Sequence, residues 1–315
     1  MTTRRRRLHI VVTCANRKRV TVPAALHLRR THGTRTGQRA LRWIERIVSA
    51  NTVDTVSARD LYAGEHWDIA RNLPAAASGF VHPTLWVASA GWGLIPAEAP
   101  IRPYSATFSP RHLDSVASDI IGTQAWWEAL ATWEGPTKGA ARSVTALISE
   151  HPRDRVLLVL SQPYLAACST DLHGALQRAA AGQVSVIAAG ATGAGGHAAL
   201  ADVLLPADAR LQHHIGGTRG SLNVRIAKHV LMAGLSDHAA MSEQLRRQLA
   251  EAPMLVSYGR RRLSDEDVLA FIRTRLTADT TLTHSRLLRV LRDAGLACEQ
   301  ARFKGLFATA TRSLS

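Results

Sequence analysis

The sequence predicts an α/β fold, a three-layer sandwich around a mainly parallel sheet, followed by a small helical unit. Three observations carry that expectation. Runs such as LHIVVT (8–13) and RVLLVL (155–160) are apolar on both faces, as buried parallel strands are. Helical patterns separate these runs, the alternation that builds a parallel sheet with helices on its faces. Each run also stops at a polar loop, and in an open α/β sheet the ligand crevice lies beyond the carboxyl ends of the strands.

In chain order, the first strand ends at Cys14-Ala15-Asn16-Arg17-Lys18-Arg19, a loop dense in hydrogen-bond donors. Asn16 is a candidate to face the crevice. Arg17 and Lys18 are either phosphate ligands or solvated charges, and nothing in the sequence marks Lys18 as an amine of depressed pKa fit for a Schiff base. A helix is expected over about 37–50, with Leu41, Ile44, Ile47 and Val48 as its apolar stripe. Asp60 precedes a second helix, expected over 66–73, and either caps it or reaches the site.

The stretch WVASAGWGLIPAEAPIRPYSATF (86–108) is the organising centre of the chain. It starts as a buried strand and breaks at Ser89-Ala90-Gly91-Trp92-Gly93. Glu98 then lies between two prolines, with Tyr104 beyond. Glycine lets a backbone approach a ligand closely, and proline stiffens the loop around it. Two readings stand side by side: a pocket wall, or a rigid loop with Trp92 plugging the core. Trp126, Trp127 and Trp133 read as packing on the next helix.

RVLLVL ends at Gln162, whose amide offers one donor and one acceptor to a base edge. A helix over 166–180 should return to a strand at 184–189. The glycine-rich stretch 190–197 lacks the GK[ST] of a phosphate-binding P-loop, and a further short strand is expected at 201–205. Gly216, Gly217 and Gly220 precede a helix starting near Ser221. Such an N-terminus, with Arg219 beside it, favours an anion. The adjacent His213 and His214 do not share a helix face, so no metal is assigned, and no cofactor motif is found.

The tail from 253 has a different pattern. Ser264 and Thr283 cap two helices, and a turn at 293–296 leads to a third over 298–310 carrying Arg302 and Lys304, with Arg261 just upstream. Helix, glycine turn, cationic helix is a helix-turn-helix pattern; a plain helical cap on the sheet is the other reading. The expected domains are therefore 1–250 and 253–315. Across the chain, 39 Lys and Arg against 24 Asp and Glu give a formal charge of +15, which points to a polyanionic partner. No apolar run approaches the ~20 residues that span a bilayer. Cys14, Cys168 and Cys298 have no CxxC spacing and fit a reducing cytoplasm.

TCANRKR (13–19), ARDLYAG (58–64) and ASAGWGLIPAEAPIRPYSATF (88–108) resemble motifs of the YaaA-like proteins, a group that extends to the middle domain of archaeosine synthase. The resemblance covers most of the first 230 residues and implies a uracil-DNA glycosylase-like fold with a base pocket at the strand tips. The tail resembles helical DNA-binding units attached to bacteriophage-defence proteins. GQDPY and HPSPLS, motifs of uracil-DNA glycosylase, are replaced here by the loop at Asn16 and by residues 211–221, so a larger, modified base fits better than uracil. The expectation is a cytoplasmic DNA glycosylase without metal or cofactor, acting on double-stranded phage DNA with modified bases and not at a membrane. In it, Glu98, then Asp60, supplies the carboxylate, Asn16 orients water or sugar, and His214 stabilises the departing base. Trp92, Tyr104 and Gln162 bind the base. Arg17, Lys18, Arg219, Ser221, Arg261, Arg302 and Lys304 hold DNA. A tRNA base-modifying enzyme and a non-catalytic DNA-binding protein are the alternatives.

Overall fold

A computed structural model describes residues 6–33, 35–191, 199–255, 259 and 261–312. Most of the glycine-rich stretch lies outside them. The chain divides into two compact units, Met1–Pro253 and Met254–Ser315.

The first unit opens with β1 (Arg7–Thr13), α1 (Thr36–Ser49), the two-residue β2 (Val56–Ser57) and the short helices α2 (Ala58–Leu61), α3 (Glu65–Ala70) and α4 (Leu73–Ala77). β3 (His82–Ser89) turns back as β4 (Gly93–Pro96), and β5 (Pro100–Ile101) pairs antiparallel with β2. There follow α5 (Ile120–Thr132), α6 (Val144–Glu150), β6 (Arg155–Val159), α7 (Gln162–Ala167), α8 (Ser169–Leu176) and β7 (Val184–Ile187). The unit ends with α9 (Gln212–Ile215), α10 (Leu222–Met232) and α11 (His238–Glu251).

The sheet order is β4-β3-β1-β6-β7, parallel except for β4 at one edge. β1 is central, with Ile10 in register between Leu85 and Leu157. Its residues Ile10 and Val12 are fully buried, as are Val87 of β3 and Leu158 of β6. Each such side chain contributes about 1.5–3 kcal/mol of burial, which is why apolar runs settle in mid-sheet. Helices flank the sheet in two groups. α10 packs on β6, β7, α3 and α4, while α5 joins α1, α7 and α8.

Several elements differ from expectation. In α1 the buried residues are Ala40, Trp43 and Ile47, whereas Leu41 and Val48 are exposed and Ile44 is half-buried. The helix turns to bury Trp43, whose indole N–H donates to the Gly91 carbonyl at 2.8 Å. The helix expected over 166–180 starts earlier, with Pro163 in its first turn where no N–H is needed, and breaks at Cys168 into α7 and α8. Residues 201–205 form no strand, only a bridge between Leu204 and Val186.

The second unit comprises β8 (Arg261–Arg262), α12 (Asp265–Ala278), α13 (His284–Asp293), β9 (Leu296–Ala297) and α14 (Gln300–Arg312). Ser264 and Asp267 form a reciprocal capping box, and Thr283 caps α13. Gly295, at φ +74°, takes the left-handed turn that ends α13. Val268, Ile272, Leu287, Leu291 and Phe303 form a separate small core. No helix among the described residues is long and apolar enough to cross a membrane.

Candidate active site at the strand tips

The carboxyl ends of the parallel strands meet over a buried polar cluster. Cys14 follows β1 and Ser89 ends β3, with the Cys14 amide bonded to the Ala88 carbonyl at 3.0 Å. Tyr62 arrives from the end of α2, Tyr104 from the segment after β5, and Tyr164 from α7 behind β6. The Tyr104 hydroxyl lies 2.6 Å from Ser89 Oγ and 3.0 Å from the Tyr62 hydroxyl, and donates to Cys14 Sγ at 3.4 Å. Tyr164 Oη is 2.9 Å from the same sulfur. Ser89 Oγ also accepts from the amides of Trp92 (3.0 Å) and Gly91 (3.3 Å), which pins the turn to the cluster. Gly91 is obligatory, because a Cβ there would lie 2.4 Å from the Tyr104 ring. Burial pushes all three tyrosine hydroxyls well above the usual phenol range, so they stay protonated as donors.

Lys18 and His66 border this cluster. The Lys18 amine donates to the carbonyls of Ala15 at 2.8 Å and Asn16 at 3.1 Å. It sits 4.7 Å from the Tyr104 ring centre and 5.2 Å from that of Tyr62. Burial lowers its pKa below the ordinary lysine value. His66 Nε2 lies 3.0 Å from the Thr13 carbonyl, which places its proton on that nitrogen, and burial lowers its pKa as well.

The expected phosphate site ahead of α10 is filled from within. Ser221 Oγ and Thr218 Oγ1 donate to the two Glu65 oxygens, each at 3.1 Å, and Arg225 clamps the same carboxylate. Arg225 is the main cause holding the Glu65 carboxyl below its ordinary pKa. Ser221 is thus spent on an internal carboxylate and makes no side-chain cap. Gly217, at φ +80°, leaves the room that Arg225 needs. Arg219 is exposed beside this latch.

Glu98 is not at the tips. β4 runs antiparallel and carries the chain back until Ala97 bonds to Leu85, four residues before Ser89, or about 13 Å along the strand. Its side chain is 70% exposed and paired with Arg59 at 3.1 Å. Asp60 is exposed within α2, where the N-cap Ser57 accepts from its amide and donates to its carboxylate; it does not cap the following helix α3, whose N-cap is Gly64. Trp92 is buried against Trp133, with ring centres 5.5 Å apart, and is a plug rather than a stacking surface. The buried guanidinium of Arg142 holds this turn by donating to the carbonyls of Trp92, Leu94, Leu130 and Trp133. Tyr104 reaches the site, but as a buried hydroxyl rather than an open ring. Gln162, Asn16 and Arg17 are exposed at the rim of the tips. His214 is exposed on α9 against His213. In the second unit Arg302 turns back to Asp265 and the Leu263 carbonyl, whereas Arg261 and Lys304 are exposed.

Tyr62, Tyr164, Ser89, His66 and the Glu65–Arg225 latch are given no site role by the sequence reading. A partial signal was present: Tyr164 stands just past the strand expected at 155–160, and three of the chain's four tyrosines converge here.

At the opposite end of the sheet, a hollow of about 690 Å³ is lined by Arg6, Arg7, Arg153, Arg155 and two aspartates. Nearby, His9, His151 and Asp154 have ligand atoms within 4.8 Å of one another. Trp86 donates its indole N–H to His9 Nδ1 at 3.1 Å, so His9 keeps its proton on Nε2, which faces Asp154 at 3.2 Å. Neither imidazole nitrogen of His9 then has a lone pair for a metal, and the group reads as a hydrogen-bonded structural cluster.

Neither a family model, nor a curated protein, nor a solved structure matches the chain.

Proposed function

We propose that this protein is a DNA glycosylase that flips out a modified base and cleaves its glycosidic bond, leaving an abasic site, in defence against phages with hypermodified DNA. The observation that carries the reading is the convergence of Cys14, Ser89, Tyr62, Tyr104, Tyr164 and Lys18 at the tips of parallel strands. That is where an open α/β sheet binds ligands and where a uracil-DNA glycosylase-like fold would hold a base. The target carbon is buried in duplex DNA, so the nucleotide must leave the stack. Gln162 and Asn16, exposed at the rim, are the amides to read the extruded base edge. Arg17 and Arg219 are the nearby cations for flanking phosphates. The second unit, with eleven Lys and Arg against six Asp and Glu, supplies non-specific affinity as a helix-turn-helix module through exposed cations such as Arg261 and Lys304. Glu98 and His214 are assigned no role in the reaction, because neither shares the cluster.

The test is abasic-site labelling after incubation with unmodified DNA, naturally hypermodified phage DNA and tRNA. Labelling of the modified DNA alone is the expected result. Labelling of tRNA alone would move the enzyme to RNA, and tight salt-dependent binding with no labelling would make it a binding protein.

A further inference from the structure

We propose that the Lys18 amine is a covalent nucleophile that attacks the aldehyde carbon of an abasic sugar, giving the enzyme strand-cleaving lyase activity. The inference rests on the base-releasing reading above, because that reaction generates the aldehyde.

Four features set Lys18 apart. It stands in the loop at the tip of the central strand β1, where the flipped nucleotide would enter. Its amine donates to two carbonyls, those of Ala15 and Asn16, as many hydrogens as a neutral amine carries. In the neutral form the remaining tetrahedral position would carry the lone pair that attacks, and no carboxylate among the described residues forms an ion pair with the amine. Burial favours the neutral form, with the Cys14 thiol pulling weakly the other way. The chain also has thirty-five arginines and only four lysines, and Lys138, Lys228 and Lys304 are all exposed. Arginine carries the charge almost everywhere, yet a guanidinium stays protonated and cannot serve as an amine nucleophile.

The chemistry balances without a further reactant. The neutral amine adds to C1′ of the ring-opened sugar, forming a C–N bond while the carbonyl electron pair moves to oxygen, which takes up a proton. Loss of water gives a protonated imine, a cation placed between the Tyr62 and Tyr104 faces. Water then removes the acidified C2′ proton. The C3′–O bond breaks with its electron pair leaving on the phosphate, and hydrolysis of the imine returns the Lys18 amine.

The experiment is reductive trapping. Full-length protein is mixed with a duplex oligonucleotide carrying a preformed abasic site and sodium cyanoborohydride, and the covalent adduct is located by peptide mass spectrometry. The expected result is an adduct on Lys18, reduced about 100-fold or more in Lys18→Arg and unchanged in Lys138→Arg. Binding of the abasic duplex by Lys18→Arg, measured without reductant, checks that this variant is folded. The wild-type peptide map stands whether or not it is. No wild-type adduct, an adduct on another amine, or a full adduct in Lys18→Arg would overturn the proposal. Base release from modified DNA is followed in parallel. Release without an adduct removes only the role of Lys18, whereas a Lys18 adduct without release from any nucleic acid removes the glycosylase reading and leaves a lyase for preformed abasic sites.

Discussion

At the scale of single residues, a set of buried hydroxyls stands at the strand tips where sequence points to one carboxylate. Glu98 is the residue that sequence singles out, since it stands alone between prolines beside a Gly-Trp-Gly turn. Its position depends on the direction of the next strand, which its neighbours do not encode. Glu98→Gln should therefore leave base release within about twofold of wild type in a single-turnover assay. Tyr104→Phe should do the opposite. It strands Ser89, Tyr62 and Cys14 without a shared partner and should cost about 1–3 kcal/mol in denaturant unfolding, with loss of base release. The place of Tyr104 at the strand tips is legible in the sequence, though its form is not, because a ring that stacks and a hydroxyl at the bottom of a network have the same letter. The histidines give a pH signature. His66 and His9 titrate below the ordinary imidazole value because burial disfavours their charged forms. As pH falls, the unfolded chain takes up these protons first, so stability is full above about pH 6.5 and declines below it. The melting temperature should drop between pH 7.5 and 5.5, less steeply in His66→Gln.

At the scale of elements, strands and caps are the most readable features. β1, β3, β6 and β7 announce themselves as apolar runs, and Ser264 and Thr283 cap the helices after them. Local pattern misleads where tertiary packing outweighs it. The aliphatic stripe of α1 suggests one face, yet Trp43 buries more surface and turns Leu41 and Val48 outward. The helix start ahead of α10 does favour negative charge, but the charge is supplied by Glu65, more than 150 residues earlier, a partner that no local window reveals. The turn between β3 and β4 offers the sharpest test at this scale. Gly91→Ala places a Cβ against the Tyr104 ring, and the backbone cannot yield while Ser89 and Arg142 hold both sides of the turn. The expected result is a loss of about 1–3 kcal/mol by denaturant unfolding, accompanied by reduced base release.

At the scale of the whole molecule, charge and the division into two units are legible from composition and pattern alone. The formal +15 is shared by both units, and 254–315 carries +5 of it on a small helical body. If that body holds the DNA backbone, reversing its exposed cations should weaken binding uniformly across sequences. Arg261→Glu with Lys304→Glu should make the slope of log affinity against log salt shallower by about one for each phosphate no longer neutralised, measured by fluorescence anisotropy. Composition does not encode the reaction. The most direct test is mass spectrometry of the small-molecule fraction after wild-type protein is incubated with hypermodified phage DNA. A glycosylase should yield a free modified base, accumulating in step with abasic sites in the same DNA. Intact DNA with no free base, under conditions where the protein is bound to it, would contradict the claim that the strand-tip cluster cleaves a glycosidic bond.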